Sequence, residues 1–239
     1  MFLSTPDMQA HDLTPDELGL QVETPAGAVP WYLSGRIAVA DAAYVVQPFR
    51  AASLAASYLR IAGDLGYANC DPVVVGSGVK PTWDAVNGWK YNGINQFLNS
   101  GFVPIGEMSI FIRFTNVTNQ GWICGSLITT AGRFDLAPNN IGTRVVYGNG
   151  STNADRNLVP PPILSGTLGI SGKQPYRNGS PDGAVISGVN ISGVILPMYI
   201  GAGNPVATLV YGAFYLQYLA VYKTIISAAQ QAALTAATA

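Results

Sequence analysis

Apolar and polar positions alternate along most of this chain in short blocks separated by glycine, proline and asparagine, and the longest block lies near the C-terminus. From Tyr211 to Lys223 the chain reads Tyr-Gly-Ala-Phe-Tyr-Leu-Gln-Tyr-Leu-Ala-Val-Tyr-Lys. At period two, Phe214, Leu216, Tyr218, Ala220 and Tyr222 fall on one face, and Tyr215, Gln217, Leu219 and Val221 on the other. A half-exposed strand would show one polar face. Both faces here are largely apolar, so the pattern predicts a central strand covered on both sides.

The same alternation predicts a strand over 107–116, with Met108, Ile110, Ile112 and Phe114 on one face and Ser109, Phe111 and Arg113 on the other. Residues 37–47 form an earlier strand closed by Pro48. Short strands over 82–84, 88–91 and 96–98 are separated by the turn dipeptides Asn87-Gly88 and Asn92-Gly93. A meander over 121–128, 133–136 and 143–147 leads into a polar and then triple-proline stretch, 148–162, which reads as a long surface loop. Strands over 168–171 and 175–177, the Asn178-Gly179 turn and a strand over 199–201 complete the set.

Helical signals are few. Thr14-Pro15-Asp16-Glu17 is a capping box with proline at the first helical position, predicting a short helix over 15–20. Leu54, Tyr58 and Ile61 share a helical face, so 50–62 reads as a helix of one to three turns. Ser227 and Gln230 form a second capping box ahead of an alanine-rich helix over 228–237, slim enough to lie against a sheet edge.

Composition agrees with an all-β chain: 239 residues with 27 Gly and 16 Pro, but four Lys and three Glu, favour strands and tight turns over helices. Charged residues are 10%, far below the usual quarter, which points to surface buried in an assembly or homo-oligomer. The net charge of −1 hides a split. Residues 1–30 carry Asp7, Asp12, Asp16, Glu17 and Glu23 with no Lys or Arg, a balance of −5; the remaining 12 bases and 8 acids give +4. An acidic arm thus precedes a mildly basic body, a pairing suited to docking. Trp31-Tyr32-Leu33 sets large apolar surface beside this arm and would anchor it either to its own body or to a neighbouring subunit.

Several chemistries lack their residues. Cys70 and Cys124 have neither a disulfide-framework pattern nor metal spacing, and are expected as buried free thiols. The sole histidine, His11, lies in the arm, which argues against catalytic triads and histidine-based zinc sites in the body. Glu17, Glu23 and Glu107 have no acid two or four residues away, so the paired carboxylates of a glycosidase are not laid out on one strand, and no catalytic residue is assigned. Basic runs for nucleic acid, an apolar stretch long enough to span a bilayer, and the basic start of a signal peptide are likewise missing. The four Asn-X-Ser/Thr sequons, beginning at Asn116, Asn149, Asn178 and Asn190, fit the abundance of these residues rather than glycosylation.

What remains is binding. Tyr147, Asn149, Asn153, Asp155, Arg156 and Asn157 lie in or beside the 148–162 loop, with Asn139 and Asn140 in an earlier one. An aromatic with amide, carboxylate and guanidinium groups is what a glycan requires; the competing reading is an ordinary solvated loop. Trp83, Trp89 and Trp122 fall on strands and are expected in the core.

Four blocks together resemble a known family: 89–98 (Trp-Lys-Tyr-Asn-Gly-Ile-Asn-Gln-Phe-Leu), 109–114 (Ser-Ile-Phe-Ile-Arg-Phe), the Tyr176-Arg177-Asn178-Gly179 hairpin with Ile200-Gly201-Ala202, and 219–223 followed by Ser-Ala-Ala-Gln at 227–230. In this order they are similar to the laminin G-like domains of the concanavalin A-like jelly-roll superfamily, of the type found in bacteriophage and prophage structural proteins. The resemblance covers 37–239 and implies two stacked antiparallel sheets in which the last strand pairs back near the first. It also implies glycan or protein binding, often with Ca²⁺, although no dense acidic cluster is present to carry calcium. The expectation is a non-catalytic virion protein of a tailed phage, displayed on the virion surface. Its body, 37–239, would be attached by an arm, 1–36, to the major capsid protein or tail components. Asp12, Asp16, Glu17, Glu23, Trp31 and Tyr32 would make the attachment, and the alternative is a tail, fibre or adhesin module that binds host surface glycan.

Overall fold

A computed structural model describes residues 28–63, 79–104, 108–128, 132–140, 142–150, 156–188, 196–203 and 210–239. The larger sheet, of nine strands, contains β1 (Ala42–Val46), β2 (Arg60–Gly63), β3 (Thr82–Asp84), β4 (Gly88–Asn92), β6 (Ser109–Thr115), β11 (Gly166–Ser171), β12 (Gln174–Arg177), β13 (Ser180–Pro181) and β17 (Ala213–Tyr222). The smaller, of six, contains β5 (Leu98–Asn99), β7 (Cys124–Ile128), β8 (Gly132–Asn140), β9 (Arg144–Gly150), β10 (Arg156–Val159) and β14 (Tyr199–Ile200). A two-stranded ribbon pairs β15 (Ala202–Gly203) with β16 (Val210–Tyr211). Helices α1 (Leu54–Ser57) and α2 (Ala228–Ala237) complete the elements, so the chain is an all-β sandwich with a short C-terminal helix.

The C-terminal strand is the hub. One edge of β17 pairs with β6 along Tyr215 to Tyr222; its other edge pairs with β4 at Ala213 to Leu216 and with β1 at Leu219 to Tyr222. The last strand therefore closes on the first, as the family resemblance implies. Its facing is different, because the partner of Leu216 is Phe114 and the partner of Tyr218 is Arg113, leaving Gln217 as an extra residue in a bulge. An extra residue exchanges the faces of everything beyond it. Phe214 and Leu216 point into the sandwich, but so do Leu219 and Val221, while Ala220 and Tyr222 face outward.

The inner faces of the two sheets meet in one apolar core, with Trp89, Ile110, Ile112, Phe114 and Leu168 from one side and Phe134, Leu136, Val145 and Tyr147 from the other. A second cluster covers the outside of the larger sheet, where Val45, Phe111, Ala220 and Tyr222 lie beneath Ile37, Ile226 and Leu234, with Trp31 and Tyr32 packed against them. The Ser227–Gln230 capping box forms as the sequence predicts: the Ser227 hydroxyl accepts from Gln230 N–H at 3.2 Å, and Gln230 Oε1 accepts from Ser227 N–H at 2.7 Å. Helix α2 covers this sheet's face rather than its edge. Close approach is possible because Gly169 lies beneath Gln231, where a Cβ would come within 2.8 Å of the Gln231 side chain.

Two other expectations change. Helix α1 is a single turn capped by Ser53, and Arg60–Gly63 becomes a strand on β1, the pairing edge outweighing the helical spacing. The 148–162 loop is largely hairpin: β9 runs to Gly150 and β10 pairs Arg156 with Gly148 and Val159 with Val145. The helix expected over 15–20 lies outside the described residues.

Candidate functional site

Along β8, Phe134 and Leu136 enter the core, so Arg133 and Asp135 between them project from the outer face of the smaller sheet. Both are nonetheless buried, at 1% and 0% exposure, in a two-point ion pair with Arg133 Nε 2.7 Å from Asp135 Oδ1. They lie flat over a glycine floor: a Cβ on Gly148 would fall 1.8 Å from Asp135 Oδ1, and one on Gly125 would fall 3.3 Å from Asp135 Cβ. A side chain in either place would displace the pair.

Asp135 has a further partner, the Trp122 indole N–H, which donates to Oδ2. Trp122 is half-buried, its ring lies 3.4 Å from a Cβ placed on Gly203 of β15, and its backbone bridges to Tyr211 of β16. The indole is thus fixed from below by the carboxylate and from the side by the ribbon. Next to it Phe97 stacks on Tyr199 with centroids 4.9 Å apart, and Tyr211 tilts toward Phe97 at 6.1 Å.

Amides lie just before Trp122 in the chain and across the Gly121–Asn139 bridge. Asn119 accepts from Ala213 N–H at 2.6 Å and donates to Tyr211 C=O at 3.3 Å, while Asn139 donates to Asn119 C=O at 3.4 Å. Asn139 Oδ1 has no hydrogen-bond partner among the described residues, and Gln120 is exposed beside this group. The ledge has no net charge, because Arg133 neutralises Asp135. Chemically it offers an apolar ring face with amide donors and acceptors, a combination that suits an uncharged polyhydroxylated ligand.

The residues selected from sequence fare unevenly. Tyr147 is on the inner face of β9, fully buried, with its hydroxyl 2.6 Å from Asp182 Oδ2 and 3.2 Å from Tyr176 C=O. Burial, and then Asp182, push its phenol well above the ordinary range. Arg177 Nε donates to the same Asp182 oxygen at 2.8 Å. Asn149 is also fully buried and donates to Gly172 C=O. Neither presents a group to a ligand, which corrects their reading as loop residues: β9 continues through them into the sandwich. Asn153 and Asp155 lie outside the described residues, as do Asp12, Asp16, Glu17 and Glu23; Arg156 opens β10, its backbone opposite Gly148.

Trp31 and Tyr32 anchor to their own body. Trp31 meets Tyr218 edge-on at 5.0 Å and donates to Gln47 Oε1 at 2.9 Å, and Tyr222 donates to Tyr32 C=O at 2.8 Å. Of the tryptophans, Trp89 is in the core and donates to Ser57 Oγ at 2.8 Å, and Trp83 is half-buried and donates to Pro48 C=O at 2.7 Å. Trp122 departs from the core expectation. Its role was invisible in the sequence because it depends on β7 and β8 lying in register, although the Arg-x-Asp alternation opposite glycine-rich strands is a signal for it. Cys124 is a buried free thiol, pushed above its ordinary range by burial and the nearby Asp135 charge; Cys70 lies outside the described residues.

The Ca²⁺ implied by the family resemblance finds no fitting donor set, since no group of three or more His, Cys, Asp or Glu that could hold a metal occurs among the described residues. Among the same residues no helix is long and apolar enough to cross a membrane.

No protein-family model matches the sequence, and no curated protein matches it. Solved structures do resemble it. Domain 4 of AbnA, a GH43 extracellular arabinanase from Geobacillus stearothermophilus, in complex with arabinotriose, has a TM-score of 0.58 at 13% identity, over 82% of this chain and 99% of that one. Trypanosoma rangeli sialidase in complex with sialic acid has a TM-score of 0.53 at 13% identity, over 82% of this chain and 32% of the sialidase. The same sialidase in complex with 2,3-difluoro-KDN gives 0.52 at 13% identity, over 80% and 32%. This chain spans about a third of the sialidase's length and nearly all of the arabinanase domain. The shared property is the β-sandwich fold.

Proposed function

We propose that this chain is a non-catalytic carbohydrate-binding β-sandwich module whose ligand is an uncharged oligosaccharide. The observation that carries the reading is the half-buried Trp122 indole, held in place by a buried ion pair, with Asn119 and Gln120 just before it in the chain and Asn139 bridged to Gly121. A ring fixed before binding loses little freedom on contact with a sugar face. The arabinanase domain similar in fold supports it, having arabinotriose bound in its structure. Screening the protein on an array that includes neutral and acidic glycans tests the reading. Binding to neutral oligosaccharides is expected, lost in Trp122→Ala and largely retained in Trp122→Phe, with the melting temperature of both variants recorded. Silence across the array, or binding unaffected by Trp122→Ala, overturns it.

A second reading follows from the charge split of −5 over residues 1–30 and +4 over the rest. In it the chain is a virion protein of a tailed phage, a laminin G-like body decorating the capsid or tail through residues 1–36. Deleting residues 1–30 then abolishes incorporation into particles while the body stays folded. Normal incorporation of the shortened chain excludes this attachment.

A further inference from the structure

Described residues cover only part of the outer face of the larger sheet. Helix α2 and residues 31–37 close one end, over Phe111, Ala220 and Tyr222. Beyond Tyr218 a strip of alternating rings and cations continues across the sheet. The Arg50 guanidinium lies over the Phe49 ring, 4.8 Å from its centroid, and Phe49 packs on Tyr218 at 5.5 Å. Lys90 lies 5.8 Å from the Tyr215 centroid, on the strand paired with β17. Arg113, opposite Tyr218, donates to Gln217 Oε1 at 3.0 Å, the bulge residue whose carbonyl also accepts from Phe49 N–H.

The three cations of this strip are Arg50, Lys90 and Arg113, and none has an ion pair with a described residue. Asp84 is the acid that faces the same side, and its carboxylate is taken up by Val86 N–H and Asn87. The strip is therefore a net positive, aromatic-lined surface, its three cations outnumbering the Asp84 carboxylate, whose hydrogen bonds lie within its own turn. Cations over ring faces are held in place yet keep their charge available to an anion.

Position identifies the occupant. The chain arrives at this strip through Trp31, whose ring touches Tyr218 at 5.0 Å. The 27 residues preceding Ala28 carry all five acids of the −5 segment and no Lys or Arg. Tyr215 is three residues from Tyr218, about 10 Å along the strand. The eight residues from Glu23 to Trp31 span up to about 28 Å when extended, so Glu23 and the acids before it reach every cation of the strip. Tethering raises their effective concentration there to about the millimolar range. A free partner of equal charge would have no such advantage.

We infer that the cation–aromatic strip formed by Phe49, Arg50, Lys90, Arg113, Tyr215 and Tyr218 is the docking surface for the acidic residues 1–27 of the same chain. The inference does not depend on the sugar reading. In the virion reading it is the contact that the arm would exchange for one with a neighbouring subunit.

The test is zero-length carbodiimide cross-linking of the full chain, using an equal mixture of unlabelled and ¹⁵N-labelled protein followed by peptide mass spectrometry. Amide links between Lys90 and arm carboxylates, carried by same-isotope pairs, are expected. Their yield should fall about two- to fivefold in Arg50→Gln, in line with one exposed charge pair, and further in Arg50→Gln with Arg113→Gln. Arg50 is exposed and outside the core, so its replacement leaves the fold intact. Near 1 M salt, where screening acts within about 3 Å, the links should fade. Failure of Lys90 to link to residues 1–27, yields indifferent to Arg50→Gln, or links found only between differently labelled chains would each overturn the inference, the last by assigning the strip to a second copy.

Discussion

The outer faces of the two sheets are built from opposite materials. On the larger sheet, Phe111, Ala220 and Tyr222 are sealed by Leu234 of α2 and by Trp31, so apolar burial does the covering. On the smaller sheet, glycines form a floor for a buried Arg133–Asp135 pair that holds Trp122. Burial of this kind is a weak source of stability, because desolvating two charges offsets most of their attraction. What it provides is position. A face closed by hydrophobic contact stabilises the sandwich; a face that keeps a charge pair against a half-buried indole fixes the orientation of that ring.

Mutations can break this contrast. The largest effect is expected inside the sandwich: Leu216→Asp places an unpaired charge in the core and should unfold the protein, a loss above about 4 kcal/mol. Tyr218→Asp, buried on the outer face but beside Arg50 and Arg113, should cost less than Leu216→Asp, and chemical denaturation of the two variants checks the bulge that separates them. Next, Asp135→Ala leaves Arg133 buried without its carboxylate and is expected to destabilise by about 3–5 kcal/mol. The double variant Arg133→Met with Asp135→Leu should recover most of that stability yet lose sugar binding. If the double variant binds normally, positioning by the pair is refuted.

Alkaline pH probes the core between the sheets and the covered face of the larger sheet at once. Burial raises the phenols of Tyr147 and Tyr222 above their ordinary value of 10.0. A raised folded-state value means that the contribution of each neutral phenol is complete below pH 10.0 and is lost as pH rises beyond it. Stability should fall by about 1.4 kcal/mol per pH unit for each phenol above that point, and Tyr222→Phe should flatten the slope measured by denaturation. The smallest effect is expected for Ser227→Ala, which removes the α2 cap at about 1 kcal/mol and should leave the smaller sheet's face and its ligand binding unaffected.

Local rules were legible where neighbours in sequence are also neighbours in space. The α2 capping box, the Asn178-Gly179 turn and the alternation of Ile110, Ile112 and Phe114 follow from a few consecutive residues, and each is found as expected. Asn149 misled because it lies at the start of the polar, triple-proline stretch 148–162, and Tyr147, read as the end of a strand, was assigned to a ligand although its side chain faces the core. Gly148 is a strand residue kept small by the Asp135 and Arg133 side chains on top of it. No window of sequence contains that reason, since Asp135 reaches Gly148 only across the β8–β9 ladder.

The sequence by itself determined the all-β class, the hub strand and the capped C-terminal helix, because hydrophobic period, turn chemistry and capping are short-range properties; the return of the last strand to the first was implied only by the family resemblance. The tertiary structure decided which way the hub faces, since one bulged residue, Gln217, inverts every position after it. It also decided that Trp122 leaves the core for the surface and that Arg133 and Asp135 are buried together. Those outcomes depend on register between strands, and register is set by the packing of the whole sandwich rather than by any single strand.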